Sequence, residues 1–212
     1  GLDLAAVRDI HVVVLAAGKG TRMKSQLPKV LHAISGLSLI ERVVRTAAAL
    51  EPRSITLVVG HGADAVRQSF EARPSVQFVM QEQQLGTGHA LLQTRPLLEK
   101  KQGTVVLLSG DVPLLTVASL RALLEAHAAA QAAATVITAN VPRPFGYGRI
   151  VRSNGVISKI VEEKDTTPAQ RAISEINSGI YAFDLEPLFP ALDSIGTANK
   201  QGEYYLPDLV AI

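Results

Sequence analysis

Short runs of β-branched and other apolar residues alternate, along the first half of the chain, with longer segments whose apolar residues recur at helical spacing. Each run is almost uninterrupted in its hydrophobicity, which is typical of a strand buried on both faces of a parallel sheet. The predicted strands are residues 10–15, 54–59, 76–80 and 104–108, and the predicted helices are residues 39–50, 63–70, 87–98 and 116–131. This alternation predicts a doubly wound, mostly parallel, Rossmann-like α/β sheet with right-handed crossovers.

The pattern changes after residue 133. Residues 133–141 and 173–183 are predicted strands, and residues 149–152 and 156–161 are predicted to form a hairpin around the pair Asn154–Gly155. This second half is therefore predicted to be mixed or antiparallel and to cover a ligand held by the first half. Because no long linker separates the halves, one domain is expected.

The composition excludes several classes of function. Of the 212 residues 47% are hydrophobic, which is enough for a core, and 21 Lys and Arg against 19 Asp and Glu leave a net charge of +2. No basic run would follow a nucleic-acid backbone, and no apolar stretch approaches the roughly 20 residues of a membrane span. The absence of cysteine excludes disulfide frameworks, thiolate zinc sites and cysteine nucleophiles, and it fits a reducing compartment. Neither a nucleic acid nor a membrane is expected as a partner.

The two ends of the sequence lead to separate expectations. Residues 1–9 lack the basic start and apolar middle of a signal peptide, and we interpret them as a remnant of a leader or of processing. Residues 203–212 have a helical pattern that stops at Ile212 without a terminal Gly, Pro or basic residue. This favours a domain, residues 10–212, cut from a longer polypeptide; the alternative is a short natural protein with a frayed end.

A glycine-rich turn, LAAGKGTRM from Leu15 to Met23, follows the first predicted strand. Glycines at the carboxyl end of a buried strand let backbone N–H groups approach a phosphate. Two familiar spacings fail, because a Walker loop needs a glycine at Val13 and a dinucleotide fingerprint needs one at Met23. The neighbouring cations Lys19, Arg22 and Lys29 favour phosphate binding over a plain turn.

Glutamines and glycines follow the third predicted strand, in QEQQLGTGHA at residues 81–90. The amide of Gln81 carries both donors and acceptors and can therefore read the edge of a base. Thr87 is either a helix N-cap or a ligand contact, and His89 receives no role.

Ser109, Gly110 and Asp111 come directly after the strand at residues 104–108. A carboxylate at the carboxyl end of a central strand lies in the ligand crevice of such a sheet. Beside phosphates its use would be to bind Mg²⁺, which prefers one or two carboxylates together with phosphate oxygens and water. The alternative is that Asp111 caps the turn that leads to Pro113.

Three weaker clusters lie in the second half. Residues 145–149, FGYGR, contain glycines that permit a close approach of the backbone. Residues 162–165, EEKD, are interpreted as a solvated charge run. Asn177, Ser178 and Gly179 interrupt a strand, where glycine marks a bulge or a nearby ligand.

Taken together, these motifs resemble the uridyltransferase domain of the bacterial bifunctional N-acetylglucosamine-1-phosphate uridyltransferase/glucosamine-1-phosphate acetyltransferases. The segments LAAGKGTRM and PKVLH are similar to the wider sugar-nucleotidyltransferase superfamily. The ordered segments QLGTGHA, GYGRI, VEEKD, EINSGIY and QGEYYLPD narrow the resemblance to this family. It extends from about Ile10 to Ile212.

The resemblance implies roles for individual residues. The residues expected around the nucleotide are Leu15, Ala16, Ala17 and Gly18, with Arg22 and Lys29 on the phosphates and Gln81, Gly86 and Thr87 on uracil. The residues expected at the reaction centre are Gly110 and Asp111, with Asp111 on Mg²⁺. Ser109, where relatives often carry an aromatic residue, is expected to contact substrate, and the residues expected on the sugar are Gly148, Glu162 and Asn177.

The activity that the resemblance implies is Mg²⁺-dependent uridylyl transfer from UTP to N-acetylglucosamine 1-phosphate. The products would be UDP-N-acetylglucosamine, a cell-wall precursor made in the cytoplasm, and pyrophosphate, with Arg22, Lys29 and Asp111 as catalytic residues. A second magnesium ligand, an asparagine, would follow Ile212. Acetyl transfer and a trimer would require the acetyltransferase β-helix half, which these residues do not include.

Two other functions stay open at this point. One is a nucleotidyltransferase for a different base or sugar, such as a thymidylyltransferase acting on hexose phosphates. The other is a non-catalytic domain that binds a nucleotide sugar.

Overall fold

A mixed β-sheet organises the chain in the computed structural model, which describes residues 9–16, 33–34, 37–60, 67–68, 70, 75–82, 86–109 and 115–195. Within these residues the sheet has eight strands in the order β5-β4-β1-β6-β10-β8-β9, with β7 paired to β10. The strands are β1 Ile10–Ala16, β4 Ser54–Val59, β5 Val76–Met80, β6 Thr104–Ser109, β7 Ala134–Asn140, β8 Arg149–Ser153, β9 Val156–Val161 and β10 Glu175–Asp184. A separate two-stranded ladder joins β2, Ala33–Ile34, to β3, Leu37–Ser38.

Helices pack on both faces of the sheet. They are α1 Leu39–Ala48, α2 Thr87–Leu92, α3 Arg95–Leu98, α4 Val117–Ala130, α5 Pro168–Arg171 and α6 Leu185–Ile195, with a 3₁₀ turn at Glu163–Asp165. No helix within the described residues has both the length and the apolarity to cross a bilayer.

The parallel half follows from strands that are apolar on both faces. Strands β5, β4, β1 and β6 pair in parallel, and alternate residues of β1 enter two separate cores. Val12 and Val14 pack with α1 and α4 on one face, and Val13 packs with α2, α3 and α6 on the other. Full burial of such a side chain contributes about 1.5–3 kcal/mol, so both faces stabilise the sheet. The prediction of a doubly wound, mostly parallel sheet is confirmed.

The second half is antiparallel, as predicted, and one long strand joins it to the first half. The carboxyl part of β10 pairs with β6, where Tyr181 lies opposite Leu107, and its amino part pairs with β8, where Ile176 lies opposite Arg149. Strands β8 and β9 form the predicted hairpin. Asn154 and Gly155 both have positive φ angles, of 53° and 79°, as a tight two-residue turn requires.

Two helix predictions need correction. The segment 87–98 forms two short helices, and the second begins at Arg95 with Pro96 in its first turn, since proline lacks the N–H that would continue the first. Helix α1 ends at Ala48 instead of residue 50. Most of the predicted helix at 63–70 and all of that at 203–212 lie outside the described residues.

Candidate functional site

The carboxyl ends of the parallel strands bring four of the predicted site residues to one edge of the sheet. Leu15 of β1 lies in register with Ser109 of β6, and Ala16 follows it at the end of the strand. Gln81 follows β5, and its backbone N–H donates to the carbonyl oxygen of Val59 at 2.7 Å. In sheets of this kind the crevice at this edge is where ligands bind.

The residues predicted to bind phosphate and metal follow the ends of the same strands in the sequence. Ala17 and Gly18 follow β1 in the sequence, and Gly110 and Asp111 follow β6. These four residues, together with Arg22 and Lys29, lie outside the described residues. Within the described part of the chain, no three His, Asp or Glu side chains are grouped as a metal site.

Gln81 is held in one orientation beneath this edge. Its side chain is buried, with 3% of its surface exposed, and its Nε2 donates to the carbonyl oxygen of Gly86 at 3.2 Å. The same Nε2 lies 3.0 Å from Nδ1 of His89. A backbone carbonyl can only accept, so the atom of the Gln81 amide that faces Gly86 must be the nitrogen.

His89 contacts a second glutamine, and a neutral imidazole can accept only one hydrogen bond in its ring plane. Its Nε2 lies 3.2 Å from Nε2 of Gln93, which also donates to the carbonyl oxygen of His89 at 3.1 Å. An unpaired N–H on buried Gln81 would cost about 1–3 kcal/mol, whereas half-buried Gln93 can turn its proton toward water. A ring that carries its proton at Nε2 accepts at Nδ1 from Gln81, the more buried of the two glutamines.

Gly86 shapes the start of α2. It is the N-cap residue with a φ of 99°, a conformation that favours glycine, and no side chain caps the helix. Thr87 is the first helical residue and is exposed, so the interpretation of Thr87 as the N-cap is wrong. The helix start thus places the Gly86 carbonyl against Gln81 and the side chain of Thr87 at the surface.

The three residues predicted for the sugar come together in the second half. The backbone N–H of Asn177 donates to the carbonyl oxygen of Gly148 at 2.9 Å. A Cβ at Gly148 would lie 3.6 Å from Oε1 of Glu162, 3.6 Å from Cβ of Asn177 and 3.3 Å from Cγ2 of Ile160. Glycine at 148 therefore leaves a small space between the Glu162 carboxylate and Asn177.

A bulge in β10 shapes this cluster, as the sequence predicts. The register between β10 and β7 shifts between Asn177 and Tyr181, and Gly179 has a φ of 81°. The N–H of Gly179 donates to Oδ1 of Asn177 at 2.9 Å, and the hydroxyl of Ser178 donates to the carbonyl oxygen of Ile137 at 2.6 Å. The bond from Gly179 orients the Asn177 amide with its nitrogen turned toward Tyr181, and the bond from Ser178 holds the bulge against β7.

Tyr181 is a member of the cluster that the sequence analysis missed. Its hydroxyl accepts a hydrogen bond from Nδ2 of Asn177, and its side chain is buried. Burial raises the pKa of Tyr181 well above its usual value, the Asn177 amide lowers that pKa, and the charge of Glu162 raises it further. The phenol is therefore neutral at physiological pH and lies within electrostatic range of Glu162.

The cluster adjoins the edge of the sheet that carries Gln81 and Ser109. Tyr181 lies opposite Leu107 of β6, and β10 runs antiparallel to β6. Residues that precede Tyr181, including Asn177, therefore extend past Ser109 at the carboxyl end of β6. The residues predicted for base and sugar share one edge, with the end of β6 between them.

Arg149 is a second residue that the sequence analysis missed. It is 1% exposed, its Nη1 donates to the Glu163 carboxylate, and its Nη2 donates to the carbonyl oxygen of Arg171 at 3.2 Å. Arg149 directly follows Gly148, and Glu163 directly follows Glu162. The ion pair thus joins the two segments, one with Gly148 and one with Glu162, that border the space beside Asn177.

The acidic segment 162–165 is only partly a solvated charge run. Lys164 and Asp165 are exposed, as that interpretation requires. It is wrong for Glu163, whose carboxylate pairs with a buried guanidinium and is 22% exposed. Only tertiary pairing distinguishes Glu163 from the exposed residues, because every position in the segment carries a charged side chain.

Two surface cavities lie at the opposite end of β6. One of about 440 Å³ is lined by Thr104, His127 and Asp184, and one of about 540 Å³ is lined by Lys101, Thr104 and Asp184 among others. Thr104 begins β6 and Asp184 ends β10, so both cavities lie at the amino edge of the parallel strands. Their described lining includes none of the predicted site residues.

Comparison with known proteins agrees with the predicted family and fold. The model of the MobA-like NTP transferase domain family matches residues 12–176. The proteins named bifunctional protein GlmU from Brevibacillus brevis and from Shouchella clausii are 53% and 49% identical over 96% and 94% of this chain. The chain spans 44% of the length of each of these relatives.

Two solved structures share the fold. A UDP-glucose pyrophosphorylase complexed with UDP-glucose has a TM-score of 0.75 at 20% identity over 96% of this chain and 86% of its own. A putative glucose-1-phosphate thymidylyltransferase from Bacillus anthracis, in complex with a sucrose, has a TM-score of 0.76 at 21% identity over 94% and 80%. The chain therefore belongs to the family of MobA-like NTP transferase domains, and it is a nucleotidyltransferase.

Proposed function

We propose that this domain transfers a uridylyl group from UTP to N-acetylglucosamine 1-phosphate, giving UDP-N-acetylglucosamine and pyrophosphate. The observation that carries the proposal is the shared edge: Gln81 on one side of β6 and the cluster of Glu162 and Asn177 on the other. Identity of about half to relatives named GlmU supports the same choice of substrates.

The sugar end offers donors and acceptors in a defined arrangement. The Glu162 carboxylate accepts from sugar hydroxyl or amide groups, and the second Nδ2 proton of Asn177 donates to a sugar oxygen. Gly148 gives the sugar access to both, because any side chain there would enter the space between them. Two fixed partners hold the sugar phosphate in line with the α-phosphorus of UTP, which makes the attack effectively unimolecular.

The phosphate end is assigned to residues of the glycine-rich turn and to Asp111. Lys29 and Arg22 would neutralise the charge of the leaving pyrophosphate. The donor set fits Mg²⁺, because Asp111 supplies one carboxylate and this ion completes its shell with phosphate oxygens and water. When bound, Mg²⁺ supplies charge neutralisation on the reacting phosphates.

Release of pyrophosphate tests this proposal. The protein is incubated with UTP, dTTP or CTP and with N-acetylglucosamine 1-phosphate or glucose 1-phosphate, each with Mg²⁺ or with EDTA. We expect release to be fastest with UTP and N-acetylglucosamine 1-phosphate and to disappear in EDTA. Preference for dTTP would mean thymidylyl transfer, and binding of UDP-N-acetylglucosamine without any release would mean a non-catalytic domain.

The Asp111→Asn variant tests the metal assignment separately. We expect it to lose Mg²⁺-dependent release and to keep the thermal stability of the wild type. Asp193→Asn is the matched control. Asp193 lies on α6, away from this edge, and its exposed carboxylate pairs with Arg95 of α3. Equal activity of Asp111→Asn and the wild type would refute the metal role.

A further inference from the structure

We propose that His89 is a positioning residue that sets the base preference of the domain by fixing the amide of Gln81. In this arrangement Gln81 presents its acceptor, Oε1, to the nucleotide and keeps both of its donors for the protein. The inference rests on the proposed function, in which Gln81 contacts the base, and it extends that function to the chemical class of base.

The hydrogen bonds around Gln81 fix the direction of its amide. One Nε2 proton goes to the carbonyl oxygen of Gly86 and the other to Nδ1 of His89, at 3.2 and 3.0 Å. Neither bond uses Oε1. A rotation that exchanged nitrogen and oxygen would set Oε1 against the Gly86 carbonyl oxygen and the lone pair of His89, so both partners oppose it.

Both partners belong to the start of α2. The Gly86 carbonyl that faces Gln81 also accepts from the N–H of Ala90 at 3.1 Å, as part of the helix. His89 lies in the first turn, and Gln93 contacts both its ring and its carbonyl oxygen. The acceptors that hold Gln81 therefore do not rotate with it, and they define the orientation before any nucleotide binds.

An amide that offers only an acceptor selects among bases. Uracil and thymine carry a proton on N3, which can be donated to Oε1. Cytosine carries a lone pair on N3, which would face the same oxygen without a proton between them. The arrangement therefore favours pyrimidines with an imide N–H over cytosine, and it does not separate uracil from thymine.

The test uses three substitutions of His89 in the whole chain. His89→Leu removes the acceptor and lets the Gln81 amide turn. His89→Asn keeps an acceptor, Oδ1, near the position of Nδ1, whereas His89→Gln carries its polar group toward the position of Nε2, away from Gln81. The matched control is Gln93→Leu, which removes the other ring contact and leaves the bonds of Gln81 in place.

The readout is the ratio of kcat/KM for UTP to that for CTP, with the KM for N-acetylglucosamine 1-phosphate and calorimetric binding of both nucleotides alongside. We expect the ratio to fall roughly tenfold or more in His89→Leu and His89→Gln, because loss of one oriented hydrogen bond changes selectivity on that scale. His89→Asn should restore most of the ratio, and Gln93→Leu should keep it. The KM for the sugar phosphate should stay within roughly twofold throughout.

The possible results separate this inference from the proposed function. An unchanged ratio in His89→Gln and His89→Leu, or an equal loss in Gln93→Leu and His89→Leu, overturns the role of His89 and leaves the proposed function intact. If His89→Leu does not fold, the comparison of Asn with Gln at this position decides the question by nucleotide binding. A wild-type protein that binds neither UTP nor CTP refutes the proposed function, and the inference with it.

Discussion

Asn177 donates its amide to the hydroxyl of Tyr181, four residues further along the same strand. Four residues of regular strand span about 13 Å, so the bulge at Gly179 is what brings the two side chains together. The bond holds the amide nitrogen of Asn177 against the Tyr181 hydroxyl. Tyr181 therefore orients the side chain of Asn177 from a buried position.

Replacing Tyr181 by phenylalanine should weaken sugar binding and spare UTP. The substitution removes the acceptor of the Asn177 amide, which should cost about 1 kcal/mol of stability and raise the KM for the sugar phosphate roughly three- to tenfold. Steady-state kinetics with each substrate varied in turn measure both constants. A parallel rise in the KM for UTP would show that Tyr181 supports the whole edge instead of the sugar cluster.

Replacing the buried Arg149 by methionine should lower the free energy of unfolding substantially. The change leaves the Glu163 carboxylate and the Arg171 carbonyl without their buried donor, and breaking such a pair typically costs about 3–5 kcal/mol. Urea unfolding measures the free energy. Arg152→Met is the matched control, because the Arg152 side chain is 42% exposed against 1% for Arg149, and loss of the Arg152–Glu175 pair should cost far less. Equal costs would mean that burial of the Arg149 pair has no energetic consequence.

Two glycine-to-alanine substitutions should separate binding from stability. In Gly148→Ala the new methyl group meets Ile160 at 3.3 Å and narrows the space beside Glu162, so sugar affinity should fall with a modest loss of stability. Gly155→Ala meets no atom within 4 Å, but its φ of 79° strains an alanine and should cost about 1 kcal/mol with the sugar KM unchanged. Thermal unfolding and kinetics of both variants check this. Any change of sugar KM in Gly155→Ala would contradict it.

Acidification below pH 6.5 should destabilise the fold through His11. Burial is the main cause that lowers the pKa of His11, and the ring nitrogen Nδ1 lies 2.8 Å from the Ser54 hydroxyl. Because the folded pKa is below the unfolded one, stability is complete above pH 6.5 and falls as the pH drops toward the folded pKa. One such group changes the free energy of unfolding by at most about 1.4 kcal/mol per pH unit.

Urea unfolding between pH 5 and pH 8 measures that slope for the wild type and for His11→Asn, which keeps a polar atom near Ser54. The variant should show a shallower dependence on pH in this window. Identical slopes would mean that the acid sensitivity comes from other groups.

Much of the fold could be predicted because its main signals are local. The parallel strands are continuous apolar runs, and the hairpin of β8 and β9 is marked by Asn154 and Gly155. The break between α2 and α3 is also local, at Pro96, but it was missed because apolar spacing continues across it.

Residues of the candidate site could be predicted only where the residue type itself indicates a chemical role. Glycines, a glutamine and acidic residues at strand ends indicate ligand binding. Those that lie within the described residues share the edge at the carboxyl ends of the parallel strands. The supporting residues carry no such signal: Tyr181 reads as an apolar strand residue and Arg149 as a surface cation. His89 acquires its significance only when Gln81 is folded against it.

Strand β10 has a consequence for how the domain would unfold. Its carboxyl part belongs to the ladder with β6 and its amino part to the ladder with β8, so the two halves share one unbroken strand. Neither half can lose its sheet without disrupting the other, and local opening between them would have to break β10 itself. Amide protons on both sides of the Gly179 bulge should therefore exchange with solvent through a single cooperative unfolding event. The separation between the residues of β10 that face β6 and those that face β8 is therefore set by the peptide geometry of this one strand.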